Sequence, residues 1–150
     1  LRPVNILGGV NNAMSKYLRL NRVPVLLGFD PMMQVLHEED AISAIIAAAR
    51  PGIRGVLNVS GPDGLPLRSL IERAGKPTIE VPHVIAPSVA RRLFQAHVID
   101  MPAQEIDYVR YAITVDGSRA AGLLKFKARY SVDDAVSAAL RTGIFDAASR

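Results

Sequence analysis

The sequence predicts an α/β fold. Three observations carry that expectation. Short apolar runs rich in Val, Ile and Leu recur along the chain, bounded by Gly and Pro. Between them lie stretches whose apolar residues repeat at helical spacing. The two kinds alternate, as they do in layered α/β folds. The length, 150 residues, accommodates a single unit, 1–150, with a sizeable core.

Residues 1–7, "LRPVNIL", read as a first strand closed by Gly8-Gly9. The stretch 11–22 reads as a helix, with Ala13, Tyr17 and Leu20 at helical spacing and Asn11 or Asn12 as N-cap. "VPVLLG" is a strand that Pro24 assigns to an edge or to its own first residues. "MMQVLH" is a further strand. The helix after it carries Ile42, Ile45, Ile46 and Ala49 as one apolar face, and Pro51-Gly52 stop it. "GVLNVSG" is a strand between glycines. "LPLRSLIERAG" is a helix with Leu67, Leu70, Ile71 and Ala74 on one side and Gly75 at its end. "PTIEVP" is a short strand. Val89, Arg92, Leu93 and Ala96 place a helix from Ala86 to about Val98. The stretch 103–116 reads as helix or strand, with its first half helical. "DGSRAAGLL" is a short helix capped by Asp116 or Ser118. "SVDDAVSAALRTG" has the clearest helical signature. Ser131 is its N-cap and Asp134 sits at the capping-box offset. Val132, Ala135, Val136, Ala139 and Leu140 form its apolar face, with Gly143 as stop.

Composition narrows the function classes. There is no cysteine, which removes disulfides, thiolate nucleophiles and cysteine-bound zinc. That fits a reducing, cytoplasmic setting. No apolar run approaches the ~20 residues of a membrane span, and no leader pattern is visible. The net charge of +4 is spread thinly. Its densest patch, Lys125, Lys127 and Arg129 in "LKFKARY", reads as a solvated strand or turn with one apolar face. Aromatics make up 5% of the chain, too few for a stacking platform, so nucleic acid is not an expected partner. The chain opens at Leu1 directly on a strand, which reads as a fragment or a processed product.

The junction "VLHEEDAISAIIAAA" raises a separate question. His37, Glu38, Glu39 and Asp40 are consecutive, so at a helix start they splay around the axis. Such a set does not converge on a metal, and His83 and His97 are the only other histidines. Acids in a first helical turn interact favourably with the helix dipole, at ~0.3–1 kcal/mol each. Glu38 and Glu39 therefore read as helix punctuation, and no metal site is expected.

The same junction resembles the His-x-x-Asp strand-to-helix junction of the NAD-dependent epimerase/dehydratase family, the extended short-chain dehydrogenases/reductases. "LRPVNILGG" is similar to that family's Arg-Pro-x-Asn-x-x-Gly strand and turn. "GVLNVSGPDGLPLRSLIERAG" is similar to its x-Tyr-Asn-x-Gly strand and following helix. "VDGSRAAGLLKFKARYSVDDAVSAAL" resembles its C-terminal Asp-x-x-Lys/Arg segment and last helix. The order of these motifs covers nearly the whole chain.

The resemblance implies the C-terminal half of such an enzyme: the C-terminal part of a Rossmann-like parallel sheet plus a small mixed α/β substrate-binding lobe. It implies NAD or NADP as cofactor, bound mainly by a missing N-terminal half. The family's Gly-rich dinucleotide loop and Tyr-x-x-x-Lys pair are not in these 150 residues: Tyr17, Tyr108, Tyr111 and Tyr130 all lack Lys four positions on. No catalytic residue is therefore assigned. By resemblance, Pro3, Val4 and Asn5 lie along the nicotinamide end of the cofactor. Asn5, Asn11 and Asn12 face a small-molecule substrate, such as a nucleotide-sugar. For the asparagines, turn formation and capping are the alternative. His37 and Asp40 match a junction that is architectural in the family. Gln34 stands where many relatives carry Arg, and "LKFKARY" replaces the final Gly-x-x-Pro. A non-enzymatic ligand- or partner-binding module is the rival reading. Buried-type strands without a first half predict association, with that half or with another copy.

Overall fold

The computed structural model describes residues 1–95 and 109–147. The end of the helix expected to about Val98, and the first half of the stretch 103–116, lie outside the described residues.

The first strand forms in two pieces, β1 (Arg2–Pro3) and β2 (Asn5–Leu7). Helix α1 (Ala13–Arg19) follows, then β3 (Val23–Leu26). "MMQVLH" divides into β4 (Met32–Met33) and β5 (Val35–His37), which leads without a loop into α2 (Glu38–Ala48). Next come β6 (Asn58–Val59), β7 (Leu65–Pro66), α3 (Leu67–Arg73), β8 (Thr78–Val81) and α4 (Ala86–Gln95). The chain closes with α5 (Ser118–Leu124) and α6 (Val132–Ala147).

Among the described residues three of the four strand pairs are parallel: β1 with β6, β2 with β5, and β3 with β8; the fourth, β4 with β7, is antiparallel. Parallel pairs joined through helices define a mixed α/β fold, as the sequence predicts. Gly61 lets the chain after β6 pass close to β5, since a Cβ there would run into the Val35 carbonyl.

Two apolar clusters form the core. One gathers α1, β3, α3 and α6 around Leu7, Leu18, Val25, Leu70 and Ile71. The other joins Val4, Leu36, Leu57 and Val59 to Ala41, Ala44 and Ala47 of α2 and to Ala120 and Leu124 of α5.

The helix α2 corrects one expectation. Ile42, Ile45 and Ile46 are 48%, 58% and 64% exposed, and Ala49 is exposed beside them. The face turned inward is Asp40, Ala41, Ala44 and Ala47. Small side chains let the helix lie close on the strands, so the strongest apolar stripe ends up outside. A second correction concerns Gly143, which does not stop α6; the helix runs on to Ala147. The capping box holds as expected: Ser131 Oγ accepts from the Asp134 N–H at 3.2 Å, and Asp134 Oδ2 accepts from the Ser131 N–H at 2.9 Å. Lys125, Lys127 and Arg129 point to solvent, while Phe126 and Ala128 between them pack on the second cluster.

Candidate functional site

A cavity of about 390 Å³ opens between the first strand and α1. Pro3, Val4, Asn5 and Ile6 form one wall, and Asn12, Met14 and Tyr17 another. Val109 and Ile113 close it from the far end of the chain. Of the residues assigned from the sequence, Pro3, Val4, Asn5 and Asn12 therefore meet at one place. Asn11 does not; it is exposed outside the lining.

The two asparagines differ in what they have left to offer. Asn12 is the N-cap of α1. Its Oδ1 accepts from the Ser15 N–H at 2.9 Å and its Nδ2 donates to the Ile6 carbonyl at 2.7 Å. Both ends of its amide are used in joining α1 to β2. Asn5 Nδ2 is buried with no hydrogen-bond partner. A buried amide donor without an acceptor costs stability, so its place is an observation to explain. It is a buried polar atom without a partner among the described residues, on a wall that Val4, Ile6 and Met14 make largely apolar. Tyr17 also borders the cavity, but its hydroxyl donates to the Pro24 carbonyl at 2.6 Å. Burial pushes its pKa far above the ordinary tyrosine value, against a small opposing pull from Arg68. That hydroxyl is a strut and holds its proton.

Arg110, next in the chain to Val109, escaped the sequence reading. Its guanidinium lies over the Phe29 ring at 5.3 Å and the Tyr111 ring at 5.4 Å, and its Nε is buried without a partner. Phe29 in turn meets the His83 ring edge-on at 5.6 Å. Only the short run "VRY" signals this cation in the sequence, and its aromatic partner comes from 81 positions earlier in the chain.

The acidic junction has a structural answer. His37 caps α2, its Nδ1 accepting from the Glu39 N–H at 3.1 Å, and its ring stacks on Tyr130 at 4.0 Å. Glu38 Oε2 accepts from the Gly9 N–H at 2.6 Å. Asp40 is fully buried and accepts from the backbone N–H groups of Arg129 and Tyr130 at 3.0 and 3.1 Å. Glu38 thus ties the junction to the turn at Gly9, and His37 and Asp40 tie it to the segment at Arg129 and Tyr130. Among the described residues no cluster of His, Asp or Glu is arranged to hold a metal. The Gln34 side-chain oxygen accepts from the Val115 N–H at 2.9 Å and so also serves the fold.

No protein-family model matches the chain. The uncharacterized protein Rv0501 of Mycobacterium tuberculosis is 30% identical over 138 residues, which is 90% of this chain and 36% of that protein. Among solved structures, the UDP-glucuronic acid 4-epimerase of Bacillus cereus, in complex with UDP-glucuronic acid and NAD, superposes with a TM-score of 0.63 at 15% identity. The match covers 94% of this chain and 43% of that one. The Bordetella bronchiseptica enzyme WbmG, in complex with NAD and UDP, superposes at 0.62 and 17% identity, covering 96% and 42%. The fold is Rossmann-like. The chain spans about a third of the length of the curated relatives it matches, 36%, and 43% of the epimerase. Among the described residues no helix is long and apolar enough to cross a membrane.

Proposed function

We propose that this chain is the substrate-binding portion of an NAD- or NADP-dependent enzyme of the sugar-nucleotide epimerase/dehydratase kind, and that it is inactive alone. The observation that carries the reading is the cavity beside the first strand. There Asn5 keeps a buried, unpartnered amide donor among apolar walls. Such a wall suits a flat ring bearing a carboxamide or a sugar hydroxyl. It fits the nicotinamide end of a dinucleotide and not its pyrophosphate, for which no glycine-rich loop is present in the sequence. When bound, the nicotinamide accepts and returns a hydride. Pro3 and Val4 shape the wall beside it, and Asn5 orients the ring or the reacting hydroxyl. Asn12 holds α1 against the strand and so keeps the wall in place. Arg110, next to Val109 and in no ion pair among the described residues, offers positive charge to a phosphate-bearing substrate. No side chain assigned here moves the substrate proton, since Tyr17 is engaged with Pro24. That step belongs to an N-terminal dinucleotide-binding half.

The fold likeness to enzymes solved with NAD and with UDP-glucuronic acid or UDP supports the substrate class. The lack of a Tyr-x-x-x-Lys pair in 150 residues favours a second reading, a binding module without catalysis. Calorimetric titration separates them. UDP-glucose is titrated, with NAD present, into the 150-residue chain and into the full product of its gene. The proposal expects tighter binding and turnover by the full product alone. Equal binding by both, with no turnover by either, assigns the binding module. Turnover by the 150-residue chain alone sinks the proposal.

A further inference from the structure

The helix α2 carries an apolar stripe that nothing in the described structure covers, and we infer that it is the seat of a second copy of this chain. Ile42, Ile45, Ile46 and Ala49 lie on the face opposite the alanines that pack on the strands. Three isoleucines about half exposed or more on one short helix form a contiguous patch, unlike apolar residues scattered singly over a surface.

The charges at its ends say which occupant fits. Glu39 and Arg50 are both exposed, and neither takes part in an ion pair among the described residues. They stand eleven positions apart, Glu39 in the first turn of α2 and Arg50 two residues past its end, beyond the C-cap Ala49, so at continued helical spacing they fall on the same flank of the stripe. The midpoint of the stripe falls between Ile45 and Ile46. When a second α2 is laid antiparallel across a two-fold axis at that midpoint, Arg50 of the second copy comes level with Glu39, to within about 3 Å along the helix. The operation repeats on the other end, as an isologous contact requires. Parallel pairing would set Glu39 against Glu39 and Arg50 against Arg50. Antiparallel pairing also opposes the two helix dipoles. The stripe is therefore complementary to itself in one orientation only.

Sedimentation of the 150-residue chain tests this, with a thermal melt of each variant to show that it is folded. The proposal expects a concentration-dependent dimer. Ile45→Glu should abolish it. Glu39→Arg or Arg50→Glu alone should weaken it about tenfold, and the double reversal should restore it. Because the chain has no cysteine, Ile45→Cys, close to the two-fold axis, should cross-link into dimers on mild oxidation, whereas Ile42→Cys should not. A chain that stays monomeric at high micromolar concentration overturns the proposal. So does a dimer indifferent to Ile45→Glu and to the charge reversals. If the full gene product shields Ile45→Cys from thiol reagents while remaining monomeric, the stripe belongs to another segment and the proposal falls. None of these outcomes depends on nucleotide binding, so the assignment of the cavity stands or falls separately.

Discussion

Asp40 and Asn5 are both polar side chains at the edge of the core, and their surroundings give them opposite meanings. Asp40 accepts two backbone N–H groups and is fully satisfied. Replacing it by Ala strands both donors, and Asp40→Ala should cost about 2–4 kcal/mol in urea unfolding. Asn5 Nδ2 has no partner. Asn5→Ala should therefore leave stability unchanged or slightly raised, while ligand binding by the full gene product falls about tenfold or more. A loss of stability matching the loss of binding would mean that Asn5 is part of the scaffold. Gly61 is a third case. Its Cβ would collide with the Val35 carbonyl, a backbone atom that cannot swing aside, so Gly61→Ala should cost about 1–3 kcal/mol in the same measurement.

At the scale of elements, the helix ends are the most self-contained features. Hydrogen bonds from the Ser131 hydroxyl and backbone N–H lower the pKa of Asp134 from its ordinary 3.8. A carboxylate with a depressed folded pKa adds stability above its unfolded value, and that stability is lost as pH falls through the folded pKa. Thermal melts from pH 6 to pH 2 should show the native chain losing this increment below about pH 4, and Asp134→Asn lacking it throughout. Ser131→Ala should remove about 1 kcal/mol at neutral pH. These residues lie within one turn of each other, which is why the pattern was legible in sequence. The stripe on α2 was legible too, but its direction was not. Periodicity finds a face without saying what lies against it, and here the alanines made the closer contact.

The two core clusters differ in kind across the whole molecule. The cluster under α1, α3 and α6 buries Leu, Ile, Val, Met and Tyr. Among the described residues the cluster under α2 and α5 is smaller, four alanines with Val4, Leu36, Leu57, Val59 and Leu124. Buried apolar area scales with stability at about 25 cal/mol per Å², so the alanine-rich side holds less. Amide hydrogen exchange should show α2 and β6 opening before α1, β3 and α3. Slower exchange in α2 than in α3 would show that the Asp40 and His37 ties outweigh the smaller area.

Local chemistry by itself determined the α/β class, most of the helices and the cap at Ser131, and narrowed the cap of α1 to Asn11 or Asn12. Each depends on spacing within a few residues, where chain geometry leaves few alternatives. The resemblance carried by motif order set Pro3, Val4 and Asn5 along the nicotinamide end of a cofactor; that they line one cavity is a property of the fold. Tertiary structure alone decided which asparagine keeps a free donor, because that depends on Ile6 and Ser15 reaching Asn12 while no described residue reaches Asn5 Nδ2. It also decided that Arg110 meets Phe29 and that Asp40 meets Tyr130. Those contacts join residues some eighty to ninety positions apart, and only the closure of the fold sets which distant backbone a side chain finds.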